Sequence, residues 1–184
     1  MVYPIFVYGH PLLRKVAREI DKDYPGLQEF IFNMFETMET SDGVGLAAPQ
    51  VGDSIRLFVI DGSPFVEDDE TLADFKKVFI NPKIIDRYGE DKIFNEGCLS
   101  LPGIREDVTR KSTIKISYYD EDFNFHEEEF DGIKARITQH EYDHIEGKLL
   151  IDHLTPLRRK ILKRRLTDIS KGEVETKYKI KIAK

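Results

Sequence analysis

Hydrophobic positions change period several times along the chain, and each change predicts an element. Residues 1–24 read as an extended start and a short helix around 12–17. After Pro25-Gly26, Leu27, Ile31, Met34 and Met38 recur three or four residues apart, the stripe a helix turns toward an interior, and Gly43 sets its latest end. Residues 55–61 form a strand, and 78–80 and 84–85 are two short strands flanking Asn81-Pro82. Between them, residues 62–76 carry Glu67-Asp68-Asp69-Glu70 and predict an exposed acidic loop. Residues 113–120 alternate apolar and polar, a half-buried strand, and 123–130 pair with it as a hairpin. His126 in that second strand is expected to face solvent.

Two further helices follow. Asp131 is a plausible N-cap and Gly147 a plausible stop, and between them Ile133, Ile137, His140, Glu141 and His144 share one face. Thr155-Pro156 starts the next helix, with threonine as N-cap and proline at the first helical position. Its apolar face is Leu157, Ile161, Leu162, Leu166 and Ile169; its other face carries Arg158, Arg159, Lys160, Lys163, Arg164 and Arg165. Residues 177–182 alternate lysine with Tyr178, Ile180 and Ile182, an edge strand with a charged outer face. The predicted fold class is α+β: antiparallel or mixed strands around the histidine-bearing helix, a second long helix near the N-terminus, and a C-terminal helix plus edge strand. All of it, 1–184, reads as one domain.

Composition narrows the class. A 40% hydrophobic and 34% charged chain is that of a soluble globular protein. A net charge of −6 argues against a whole-surface nucleic-acid footprint, so DNA is not an expected partner. No apolar run reaches membrane-spanning length, and the first residues lack the basic start and apolar core of a signal peptide. One cysteine cannot form an internal disulfide, which suits a reducing cytoplasm.

The chemistry concentrates in Gln139-His140-Glu141-Tyr142-Asp143-His144. His-Glu-x-x-His on a helix sets two imidazoles one turn apart on one face, able to grip one metal ion, with the glutamate close enough to reach a water there. That face also points to the core, where two imidazoles and a carboxylate need partners, and a metal ion satisfies all three. Catalytic sites of this kind take three protein ligands plus water. Leu150 occupies the place where one group of zinc proteases has a third histidine; Glu173 and Glu175 are the only downstream glutamates placed as in another. Cys98, between Gly97 and Leu99 in a strand-end loop, is the better candidate. Asp143 either orients a ligand histidine or pairs with an arginine on a strand.

Three stretches together resemble the peptide deformylases. Their motifs Gly-x-Gly-x-Ala-Ala-x-Gln, Glu-Gly-Cys-x-Ser and Gln-His-Glu-x-Asp-His-x-x-Gly stand here, in order, at 43–50, 96–100 and 139–147. The resemblance runs to about residue 154; Ile145 replaces the usual leucine, the 62–76 loop is longer than in many members, and 155–184 match no motif. It implies removal of the formyl group from N-formylmethionyl peptides, with release of formate. Cys98, His140 and His144 would ligate one divalent metal, Fe2+ natively, with Zn2+, Ni2+ or Co2+ as replacements. Glu141 would take a proton from the attacking water and pass it to the leaving amine, while the Leu99 N–H and the Gln50 side chain hold the oxyanion. The backbone around Gly45 would pair with the extended peptide, and Val44, Ile133 and Ile137 would receive the methionine side chain. The rival within metal enzymes is a zincin-type metallopeptidase, with Glu173 or Glu175 as third ligand. The basic helix at 156–170 is a candidate ribosome contact.

Overall fold

Burial on both faces of one short strand organises the molecule. In the computed structural model, which describes residues 1–183, β3 (Leu57–Asp61) reads Leu-Phe-Val-Ile-Asp, and its first four side chains are buried. Pleating sends Phe58 and Ile60 to one side and Leu57 and Val59 to the other. Each pair joins a different core cluster. On the first side lies α2 (Gly132–Ile145), contributing Ala135, Ile137 and Ile145. On the second lies α1 (Leu27–Thr40), contributing Leu27, Ile31, Met34 and Met38. A helix on each face of the sheet explains why such a strand carries no polar alternation.

Around β3 runs a five-stranded antiparallel sheet. Its spatial order is β2 (Gly45–Ala47), β3, β4 (Lys76–Gly97), β5 (Arg105–Tyr119) and β6 (Phe125–Asp131). A separate two-stranded parallel sheet joins the ends of the chain: β1 (Ile5–Phe6) pairs with β7 (Ile180–Lys181). A third core cluster lies between this pair, the 98–104 turn and α3 (Pro156–Lys171); Val7, Leu101, Ile104, Leu162, Leu166 and Ile169 belong to it. The α+β class expected from the pattern holds, with the histidine-bearing helix packed on one face of the sheet.

Several local expectations change. Around residue 12 there is only a short 3-10 turn, Pro11–Arg14, where the Leu12 N–H donates to His10 Nδ1 at 3.2 Å. Asn81-Pro82 does not separate two strands. Asn81 takes φ 48°, a conformation asparagine tolerates, and β4 continues past it after a register shift. The Asn81 side chain accepts from the Ile20 N–H at 3.0 Å and donates to the Ile20 carbonyl at 2.7 Å, which replaces the ladder bonds the bulge gives up. The glycine-alanine stretch at 43–50 contains strand β2 and runs into a 3-10 turn, Ala48–Val51. His126 is half-buried: its ring stacks on Tyr118 and its Nε2 lies 2.7 Å from Asp120 Oδ2.

Helix α3 starts as the threonine-proline pair predicts, with Thr155 Oγ1 accepting from the Arg158 N–H at 3.3 Å. Its apolar face is narrower than expected. Leu162, Leu166 and Ile169 are buried, but Leu157 and Ile161 are 70% and 60% exposed. The two stripes differ in phase by about one residue, roughly 100° of rotation, and a helix resting on the surface buries only one of them.

Candidate active site

Helix α2 follows β6 with no intervening loop, Gly132 absorbing the turn at φ 52°. This places the second and third turns of α2 directly beneath β2, and the approach is closer than a side chain allows. A Cβ on Gly45 would lie 2.7 Å from Glu141 Cγ and Cδ, so glycine at 45 lets the strand cross over the carboxylate. Glycine at 147, at φ 70°, ends the helix region against the chain at residue 14; a Cβ there would meet the Arg14 carbonyl at 2.6 Å.

Cys98 reaches the same point from the opposite side, at the turn between β4 and β5. One donor atom each from Cys98, His140 and His144 lies within 4.8 Å of the others, and among the described residues this is the one such grouping of three. Cys98 Sγ stands 3.3 Å from His144 Nε2. Neither Glu173 nor Glu175 belongs to it.

The electrostatics suit a cation. Burial works to raise the Cys98 thiol, but the fields and hydrogen bonds of His144 and His140 outweigh it and hold it at about 5, so the ligand form is a thiolate at neutral pH. A soft thiolate with two imidazoles is a donor set for Zn2+ or Fe2+. Glu141 Oε2 and His144 Nδ1 are buried with no protein hydrogen-bond partner. Burial is the main influence on the Glu141 carboxyl and pushes it up to about 7, the range of a group that both accepts and returns protons near neutrality.

Glu96, which opens the 96–100 motif but has no role assigned from the sequence, holds the first histidine. Its Oε2 accepts from His140 Nδ1 at 2.9 Å, leaving Nε2 as the free ring nitrogen. Arg110 binds the same carboxylate in a fork at 2.7 and 3.0 Å, and Arg136 adds a contact at 2.9 Å. Burial alone would raise Glu96, but His140 and Arg110 hold it well below the usual carboxylate range. Asp143 takes the other of its two expected roles. It accepts from Arg110 Nη1 on β5 at 2.7 Å and lies 2.7 Å from His153 Nε2.

Gln50 sits in the 3-10 turn after β2. Its Oε1 accepts from the Ala47 N–H at 2.8 Å, which turns Nε2 toward Ser100 Oγ at 3.1 Å and Cys98 Sγ at 3.8 Å. A cavity of about 520 Å³ opens over these residues. Val44, Gly45, Leu99, Ile137, His140 and Glu141 line it; Ile133 does not, and packs against the core cluster under α2. Phe65 and Phe94 also line it, ring centroids 6.4 Å apart edge to face, and the guanidinium of Arg136 lies 5.7 Å from the Phe94 ring centre. Phe65 comes from the acidic 62–76 segment. That segment is a packed structure with Leu72 and Phe75 buried, and the Gly62 N–H donates to the Phe75 carbonyl at 2.8 Å.

A nitrogen-and-sulfur triangle, His144 buried and Cys98 and His140 half-buried, beside an unpaired carboxylate and open to a mostly apolar cavity, is built to activate water against a bound substrate, and the chain is a metal-dependent hydrolase. Comparison with known proteins defines which. The family description "Polypeptide deformylase" matches residues 2–160, and the chain belongs to that family. It is 50% identical over 188 residues to the peptide deformylase of Christiangramia forsetii, covering 98% of this chain and 96% of that protein. It is also 50% identical over 181 residues to that of Cytophaga hutchinsonii, covering 98% and 97%. The crystal structure of a peptide deformylase from Legionella pneumophila superposes with a TM-score of 0.81 at 37% identity, covering 94% of this chain and 98% of that one. The chain is therefore an enzyme that removes the N-formyl group from newly synthesised polypeptides. A zincin-type peptidase is not the reading these similarities favour.

Proposed function

We propose that Cys98, His140 and His144 hold one divalent cation, Fe2+ natively, and that Glu141, Gln50 and the Leu99 N–H act on the formyl group. What supports this most is the triangle of donor atoms within 4.8 Å of one another, with the buried, unpaired Glu141 carboxylate beside it. A cation bound there supplies Lewis acidity, bringing water toward ionisation near neutral pH. Glu141 accepts the proton from the attacking water and returns it to the leaving amine. The Gln50 amide, fixed through Ala47, donates to the oxygen that gains charge, together with the Leu99 N–H. Glu96 holds the His140 ring in one orientation and one tautomer. The backbone of β2 at Gly45 offers the formylated chain a strand edge. Val44 and Ile137, joined by Phe94 and Phe65, receive the methionine side chain, with which aromatic rings make favourable sulfur contacts. Arg159, Lys160, Lys163 and Arg164, which make no ion pair among the described residues, form a contact face for the ribosome, in the cytoplasm.

Metal analysis of anaerobically purified protein, paired with a formate-release assay, tests the ligand set. Cys98→Ala, His140→Ala and His144→Ala lose both metal and activity; Glu173→Ala and Glu175→Ala keep both. A loaded and active Cys98→Ala variant would overturn the assignment.

A further inference from the structure

The chain beyond residue 160 lies outside the matched family region, yet one of its side chains reaches the cavity. Tyr178, half-buried just before β7, donates its hydroxyl to the Leu99 carbonyl at 2.7 Å. Leu99 follows Cys98 directly, and both line the cavity with Tyr178.

Every carbonyl of the Cys98-Leu99-Ser100 turn has a donor. Cys98 O accepts from the Leu101 N–H at 2.9 Å, Leu99 O from Tyr178, and Ser100 O from the Tyr8 N–H at 2.9 Å. Two of these three bonds therefore come from the segments that form the terminal sheet. That sheet is itself fastened, Ile5 N–H to Lys179 O at 2.8 Å and Val7 N–H to Lys181 O at 3.1 Å. Because each peptide unit is planar, its carbonyl and the next N–H point in opposite directions, so tying a carbonyl orients the following amide. Tying Cys98 O sets the plane carrying the Leu99 N–H. Tying Leu99 O sets the next plane, and with both fixed the Leu99 dihedrals cannot rotate to flip either.

We infer that Tyr178 is a positioning residue for deformylation: by holding the Leu99 carbonyl it keeps the Leu99 N–H, which never touches Tyr178, aimed for the reaction. This rests on the proposed role of the Leu99 N–H as an oxyanion donor. It makes the segment after Gly172 part of the catalytic apparatus, although no functional motif lies there. Preorganised donors act because they need no reorganisation as charge develops, and a donor left free to turn loses part of that advantage.

Tyr178→Phe tests it, since the ring stays and only the hydroxyl goes. Backbone amide exchange of residues 98–101, read by NMR, is measured beside kcat, KM, metal content and Tm. Faster exchange at Leu99 and Ser100 is expected, with kcat down about tenfold, less than the roughly 10²–10³ lost when a donor itself is removed. KM, metal content and Tm stay near wild type. Unchanged exchange would show that the hydroxyl does not hold the turn, and would sink the inference while leaving Leu99 as donor. Faster exchange with full kcat would instead remove Leu99 from the oxyanion role, and Tyr178 with it. A Tm drop with activity recovered on cooling would make Tyr178 merely structural.

Discussion

Two buried glutamates lining the same cavity have opposite surroundings. Glu96 is bound by two arginines and an imidazole, while one oxygen of Glu141 has no partner in the protein. The first is held ionised and fixed; the second is free to exchange a proton. Glu141→Ala is therefore expected to keep its metal and its fold while kcat falls by roughly 10²–10⁴. Metal analysis beside formate release checks this, and a fully active variant would exclude the proton-transfer role. Gln50→Ala is expected to lose about 2.7–4 kcal/mol of transition-state stabilisation, seen in kcat. A change confined to KM would make Gln50 a ground-state contact. At this scale, residues at fixed helical spacing were legible in the chain, because His140, Glu141 and His144 need only one helix to meet. Glu96 is legible as part of the 96–100 motif, but its role is not, since its partners come from β5 and α2 and only the folded sheet brings them together. The choice between two partners for Asp143 likewise depended on where Arg110 fell.

Among elements, those with one buried face and one wet face are legible in kind: α1 and β5 show clean periodicity, whereas α2 is enclosed on all sides after Gly132 and is marked by its caps and histidine spacing. Strand β4 was read as pieces because Asn-Pro is ordinarily a break, and the side-chain bonds from Asn81 to Ile20 that carry the strand across it come from a distant segment. The charges of the 62–76 segment predict a solvated loop and mask the buried Leu72 and Phe75 that fix it. Because that packing sets Phe65 against Phe94 at the cavity, the loop has a specificity consequence. Phe65→Ala is expected to lower kcat/KM for formylmethionyl peptides by about 5- to 150-fold, by removing apolar contact worth roughly 1–3 kcal/mol. It should narrow the preference for methionine over formylalanyl peptides, leaving metal content unchanged. Equal losses on both substrates would place Phe65 outside the side-chain pocket.

For the molecule as a whole, a net charge of −6 coexists with one strongly basic helix. Two of its arginines are already engaged, Arg158 with Glu106 at 2.7 and 2.8 Å and Arg165 with the Gly103 carbonyl. The groups free for a partner are Arg159, Lys160, Lys163 and Arg164. Replacing those four with glutamine is expected to spare deformylation of short peptides. It should weaken co-sedimentation with ribosomes and flatten its dependence on salt; equal pelleting of both proteins would leave the face as solvated surface. The parallel pairing of Ile5 with Ile180 has a different consequence, for the order of assembly. Contacts so distant in sequence close late, after domains have begun to fold during synthesis. A copy translated only as far as residue 160 contains both histidines and the cysteine, while the turn after Cys98 still lacks its Tyr178 donor. On the inferred role of Tyr178, the turn gains that donor only once the segment after Gly172 has been made.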